Sequence, residues 1–163
     1  MVTLKELKER FDYNPETGLF IYKIAIMFIK VGDIAGTHNT NGHIQIMINE
    51  QFYLAHNLAW FYMTGEWPNG FIVDHEDRQY DNNKWLNLRK ATLSQNMGNT
   101  KLYSNNSTGL KGVHWDKRKN RFIAQITIHN KRTYLGSSTD KEEAYELYLK
   151  AAMAHFGEFF NAN

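Results

Sequence analysis

Asp74 and His75 stand side by side after a short apolar run, Phe71-Ile72-Val73, and Asn87-Leu88-Arg89 and then Asn96 follow. These side-chain types are the smallest set that can hydrolyse a phosphodiester with one metal ion. The reaction needs an activated water, neutralised phosphoryl oxygens and a stabilised leaving oxygen. A neutral imidazole is a suitable base near pH 7 when something orients its other ring nitrogen. A carboxylate and an amide oxygen together can hold a divalent ion and leave positions open for phosphate and water. Asp74, His75, Asn87 and Asn96 supply those functions.

The elements that carry these residues can be read from spacing. Adjacent strand residues face opposite sides, so Asp74 and His75 can serve one site only if the strand ends or bends there. Asn87 and Asn96 would lie about 180° apart on one continuous helix. The capping-box pattern Thr92-Leu93-Ser94-Gln95 instead starts a new helix, with Asn96 about one turn inside it. Upstream, residues 4–11 have helical spacing, Tyr13 to Gly18 reads as a turn, and 19–22 as a strand. Residues 43–48 alternate as a strand, Asn49-Glu50 turns the chain, and 52–55 return. Residues 54–63 read as a buried helix stopped by Gly65 and Pro68. Asn82 and Asn83 read as turn formers. His56 reads as a structural histidine on an apolar helix, while His38, His43 and His129 carry no signal.

A polar run, Tyr103 to Gly109, reads as a linker. The division it suggests is a domain over 1–100, a linker over 101–110 and a second domain over 111–163. In the second, strands are expected over 112–116, 121–128 and 132–136, with turns at Lys119-Asn120 and His129-Asn130. A capping box at Thr139-Asp140-Lys141-Glu142 opens a helix that Gly157 ends. A three-stranded antiparallel sheet of this kind buries one face on its helix and leaves the other free. The fold class is therefore α+β.

At 163 residues and 42% hydrophobic content the chain fits a soluble folded protein of one or two domains. No apolar run reaches the roughly 18–20 residues that span a bilayer, so no membrane partner is expected. The first residues lack the plan of a signal peptide, so a cytoplasmic location is expected. Zero cysteines exclude disulfides, zinc knuckles and thiol catalysis. A metal must then sit among His, Asp, Glu and Asn, which favours one hard divalent ion, magnesium or manganese. The net charge of +2 is unevenly spread. Residues 101–135 hold eight Lys and Arg against Asp116, a net +7, and the remainder is −5. That block, interleaved with His114, Trp115, Phe122 and Tyr134, has the character of a phosphate-binding footprint.

Five motifs in order resemble the HNH homing endonucleases of phages: Ala55-His56-Asn57-Leu58-Ala59-Trp60, Gly65-Glu66-Trp67-Pro68, Val73-Asp74-His75, Asn83 to Arg89, and Ala91 to Asn96. The opening Phe11-Asp12-Tyr13-Asn14-Pro15-Glu16-Thr17-Gly18 is also typical of them. The C-terminal part resembles the plant ethylene-response-factor DNA-binding domain at Lys111-Gly112-Val113, Phe122, Ala124-Gln125-Ile126, Leu135-Gly136, Glu142-Glu143-Ala144, Tyr145, Ala151-Ala152, Phe156-Gly157 and a final Asn.

The first resemblance implies a ββα-metal fold with His75 as general base, Asp74 and Asn96 as ligands of one divalent ion, and Asn87 orienting the His75 side. His56 and Asn83 are candidate supporting residues, and Arg89 a candidate phosphate contact or brace. The second implies a sheet that lies in the DNA major groove. His114, Gln125, Thr127, Arg132 and Tyr134 would face bases, and Lys111, Lys117, Arg118, Lys119 and Arg121 would meet phosphates. The chain departs from these patterns at Asn57, where an arginine is usual, and at Asp116 and Thr127, where plant domains carry base-reading arginines. Residues 24–29 are apolar where relatives often carry a basic loop. The expectation is a metal-dependent DNA endonuclease on double-stranded DNA, with no nucleotide cofactor, acting as a monomer or homodimer in the host cytoplasm if phage-encoded. The alternative is an inert DNA-binding or regulatory protein.

Overall fold

Thr3 opens the first helix, α1 (Leu4–Arg10), with both halves of a capping box between Thr3 and Glu6. The structure is a computed structural model that describes residues 1–102, 106–129 and 131–162. Tyr103, Ser104 and Asn105 of the expected linker, Asn130 of the expected turn and the last residue, Asn163, lie outside the described residues. Among the described residues the fold is mixed α+β with small antiparallel sheets and four α-helices. The chain divides into two compact units, Met1–Ala91 and Thr92–Asn163.

In the first unit α1 runs directly into β1 (Phe11–Asn14), which pairs with β2 (Leu19–Tyr22), and β2 pairs with β3 (Ile34–Ala35). The sequence places Phe11 in the helix and Tyr13 in a turn. The structure puts both in a strand because their rings pack on Phe20, at 6.2 and 4.9 Å. Tertiary packing outweighs local propensity here. A second sheet holds β4 (Thr37–His38), β5 (Ile44–Ile48) and β6 (Gln51–Leu54), with Asn49 and Glu50 at positive φ in its hairpin turn. Helix α2 (Ala55–Thr64) follows and ends at Gly65, whose φ of 73° closes it in the left-handed region. A hairpin of β7 (Ile72–His75) and β8 (Leu88–Ala91) completes the unit. Leu7, Phe11, Phe20, Ile46, Ile48 and Leu58 form the fully buried centre. The apolar segment 24–29 does not join it: Met27 and Phe28 are 92% and 94% exposed.

The second unit opens with α3 (Leu93–Asn99), capped by the reciprocal Thr92–Gln95 box that the sequence suggests. The strands β9 (Val113–Asp116), β10 (Arg121–Ile128) and β11 (Lys131–Ser138) form an antiparallel sheet in the order β11-β10-β9. They bury Val113, Ala124 and Ile126 against Ala144, Tyr148, Ala152 and Phe156 of α4 (Lys141–Phe156). Gly112, at φ 70°, lies under Tyr148, where a Cβ would come within 2.0 Å of the ring. Helix α3, placed by its sequence with the N-terminal domain, packs with α4. A Cβ on its Gly98 would meet the Phe156 side chain at 2.7 Å. The cap of α4 is Asp140 rather than Thr139, with the Asp140 carboxylate accepting from Glu143 N. Among the described residues no helix is long and apolar enough to cross a membrane.

Candidate active site and nucleic-acid interface

The hairpin register sets Asp74 opposite Arg89 and His75 opposite Leu88. The strand ends at His75, and the turn beyond it passes through Arg78 at positive φ. This is the strand end that the adjacent acid and imidazole need. Both are buried. Arg89 Nε donates to Asp74 Oδ2 at 2.9 Å, and Arg89 Nη1 lies 3.9 Å from Glu76. Arg89 therefore braces the acid instead of reaching outward for phosphate, the contact the sequence allows.

His75 is oriented by Asn83, not by Asn87. Its Nε2 lies 3.0 Å from Asn83 Oδ1, and Asn83 is only 2% exposed. The amide is fixed the right way round because its Nδ2 donates to Asp81 O at 3.3 Å. An accepting Oδ1 puts an N–H on His75 Nε2 and so orients the ring. Of the two parts the sequence allows Asn83, turn former and supporting residue, this contact goes with the second. Asn87 has a different task. Its Nδ2 donates to Asp77 Oδ1 (2.9 Å) and Asn82 O (2.7 Å), and its Oδ1 accepts from Asp77 N (3.0 Å). It knits the 76–87 loop, holding the chain just after His75 at Glu76 and Asp77 and the chain just before Asn83 at Asn82. Burial raises the Asp77 carboxyl, but hydrogen bonds from Asn82, Gln79 N and Asn87 outweigh it and hold the group below its usual range.

Asn83 is in turn held from the N-terminus. Tyr13 donates its buried hydroxyl to Asn83 O at 2.6 Å, and Trp85 N donates to Pro15 O. Gly18 approaches the same peptide so closely that a Cβ would lie 2.4 Å from Asn83 C and Lys84 N. Three imidazoles meet around His75. His56, in the first turn of α2, sits edge-to-face with it at 4.9 Å, and His43 is 6.0 Å away, stacked on Tyr80 at 4.6 Å. Burial, then the neighbouring His75 and His43, push His56 down to about 3; burial and His75 also lower His43. Among the described residues the Nδ1 of His56 is buried without a hydrogen-bond partner. The ligand atoms of His43, His56 and His75 all lie within 4.8 Å of one another, so the set fits a divalent ion. The oxygens of Asp74 and Asn96 are donors of the kind a hard ion takes. Asn96 lies in the second unit, half-buried on α3.

A family model described as HNH endonuclease matches residues 53–98, the span from β6 to α3. Protein 3.8 of Escherichia phage T7 is 34% identical over 86 residues, which is 51% of this chain and 71% of that protein. The chain belongs to the family of that phage protein and carries an HNH endonuclease domain. It is also similar to a solved structure concerned with DNA binding and cleavage by the HNH homing endonuclease I-HmuI. There the TM-score is 0.46 and the identity 20%, over 89% of this chain and 80% of that one.

Outside the HNH domain, the second unit brings most of the expected DNA-facing residues onto one side of its sheet. Cross-strand pairs Arg121–Asp116, Ile123–His114, Gln125–Tyr134 and Thr127–Arg132 share the face turned away from α4. Lys117, Arg118, Lys119 and Arg121 are exposed around the β9–β10 turn. Lys111 is the exception. It is buried, with Nζ donating to Gly98 O at 3.0 Å and Asn161 O at 2.9 Å, so it ties α3 to the C-terminus and does not present itself to phosphate. Sequence reasoning passed over His43, Tyr13 and the dominant role of Asn83. The Phe11-to-Gly18 and Asn83-to-Arg89 motifs, in their likeness to phage relatives, held a signal for Tyr13 and Asn83, and nothing did for His43.

Proposed function

We propose that the protein is a metal-dependent DNA endonuclease of the homing type, in which His75 is the general base. The observation that carries this reading is the buried Asn83–His75 bond beside Asp74, which fixes the ring by its Nε2. His75 takes the proton of the attacking water at Nδ1 while Nε2–H stays on Asn83. As the ring becomes imidazolium, that bond becomes charge-assisted and strengthens. Asp74 and Asn96 would hold one magnesium or manganese ion, which when bound neutralises charge on the phosphoryl and leaving oxygens. Arg89 holds Asp74 in place.

The C-terminal unit, similar to an ethylene-response-factor DNA-binding domain, reads double-stranded DNA through the face bearing His114, Gln125, Thr127, Arg132 and Tyr134. Lys117, Arg118, Lys119 and Arg121 contact phosphates. A tethered reader raises the local concentration of the nuclease at one target. The site of action is then the cytoplasm of the infected host cell.

The test is cleavage of supercoiled plasmid and phage DNA by wild type and His75→Ala, with magnesium, manganese or EDTA. Metal-dependent conversion by wild type alone is expected. Binding without cleavage under every condition would instead establish an inert DNA-binding protein.

A further inference from the structure

We propose that His43, His56 and His75 form a site for a borderline transition-metal ion of the zinc class, and that an ion held there masks His75. The masking rests on the reading of His75 as the base; the site itself does not. The three rings come from separate parts of the first unit: the residue before β5, the first turn of α2 and the end of β7. Their candidate ligand atoms already lie within 4.8 Å of one another. A tetrahedral ion with bonds of about 2.0–2.1 Å draws nitrogens to about 3.3–3.4 Å apart. Imidazole rotation about χ2, a broad torsion, is the movement needed to close that gap.

Two further observations point to an ion. Among the described residues His56 Nδ1 is buried without a hydrogen-bond partner, whereas most buried polar side-chain atoms in proteins have one. Asn83 Oδ1 meets His75 Nε2 at 3.0 Å and fixes the orientation of the ring. A histidine whose second nitrogen is fixed by an amide or carboxylate oxygen is the arrangement that metal ligands adopt.

Donor chemistry separates this site from the one proposed for catalysis. Three neutral nitrogens select zinc, nickel, cobalt or copper, whereas the oxygens of Asp74 and Asn96 select magnesium or manganese. Because His75 Nδ1 holds the lone pair that would accept the water proton, an ion on the trio and a working base exclude each other. The chain would then be active with a hard ion and silenced by a borderline one.

The experiment uses the full chain, with any affinity tag removed and metals stripped, and cobalt(II) as the visible probe for zinc. The expected result is one equivalent of cobalt with the d–d absorption of a four-coordinate nitrogen site, displaced by zinc. His43→Gln, at a half-buried position, and His56→Gln should each weaken it at least about tenfold, since even loss of an outer-shell partner costs 10–100-fold. No absorption, or equal affinity in both folded variants, overturns the site. In parallel, one equivalent of zinc should cut magnesium-driven nicking by wild type at least tenfold, reversibly on chelation. Undiminished cleavage by the zinc-loaded chain, or cleavage driven by zinc alone, overturns the masking. A chain that binds cobalt through the trio but cuts no DNA with magnesium or manganese keeps the site and overturns the nuclease reading with its masking.

Discussion

Replacing Asn83 with Ala is the sharpest probe of how His75 is readied. The substitution removes the Oδ1 that lies 3.0 Å from His75 Nε2 and leaves Asp74 and Arg89 untouched. In the resting enzyme that bond is neutral and worth about 1 kcal/mol. It becomes a bond to a charged group as His75 takes a proton, worth about 1.5–3 kcal/mol. The difference, about 0.5–2 kcal/mol, is what the transition state loses, so kcat should fall about 2- to 30-fold with KM little changed. Asn83→Asp, which again offers an oxygen to Nε2–H, should recover at least part of the loss. The assay is single-turnover nicking of supercoiled DNA with magnesium, run well below the unfolding temperature of each variant. A kcat within twofold of wild type would refute the assignment. So would an Asn87→Ala variant that lost more activity than Asn83→Ala at equal stability, because the Asn87 side chain bonds residues of the loop and not the His75 ring.

Tyr13→Phe leaves Asn83 O without its buried phenol donor and should cost about 1–3 kcal/mol in urea unfolding. His56 is held neutral in the fold, down to about pH 3, but protonates near its ordinary 6.5 when unfolded. Its depressed value means that its contribution is whole above pH 6.5 and is lost as the pH falls towards 3. In EDTA, wild type should lose about 2 kcal/mol more between pH 7 and 5 than His56→Gln, at roughly 1.4 kcal/mol per pH unit below 6.5. Lys117→Ala should lower the salt slope of DNA binding by about 1. Lys111→Ala should leave that slope alone and destabilise the second unit by about 1–3 kcal/mol, through carbonyls stripped of their donor.

The parts of this architecture set by local rules were legible from the residues. The Thr92–Gln95 capping box, the Asn49-Glu50 turn and the strand that delivers Asp74 and His75 all depend on neighbours a few positions apart. Alternation along β10 likewise put Gln125 and Thr127 on one face before any register was known. What escaped depends on distant closure. Asn83 and Asn87 are the same residue type in one polar loop, and the inward one is decided by Tyr13, seventy positions away. His43 gains meaning only when β5, α2 and β7 converge. Lys111 looks like one more member of a basic block until Gly98 and Asn161 are found capping its ammonium.

The close fit of Gly18 against the Asn83–Lys84 peptide changes what counts as the working nuclease. The family match begins at residue 53, yet the support for Asn83 comes from Tyr13, Pro15 and Gly18. A fragment cut to the matched span would keep Asp74, His75 and Asn83 while losing the wall against which Asn83 is pressed. The smallest portable cutting module then has to include the opening hairpin as well as the elements that carry Asp74, His75 and Asn96. Its opening hairpin is as much an organ of the chemistry as the strand that bears the histidine.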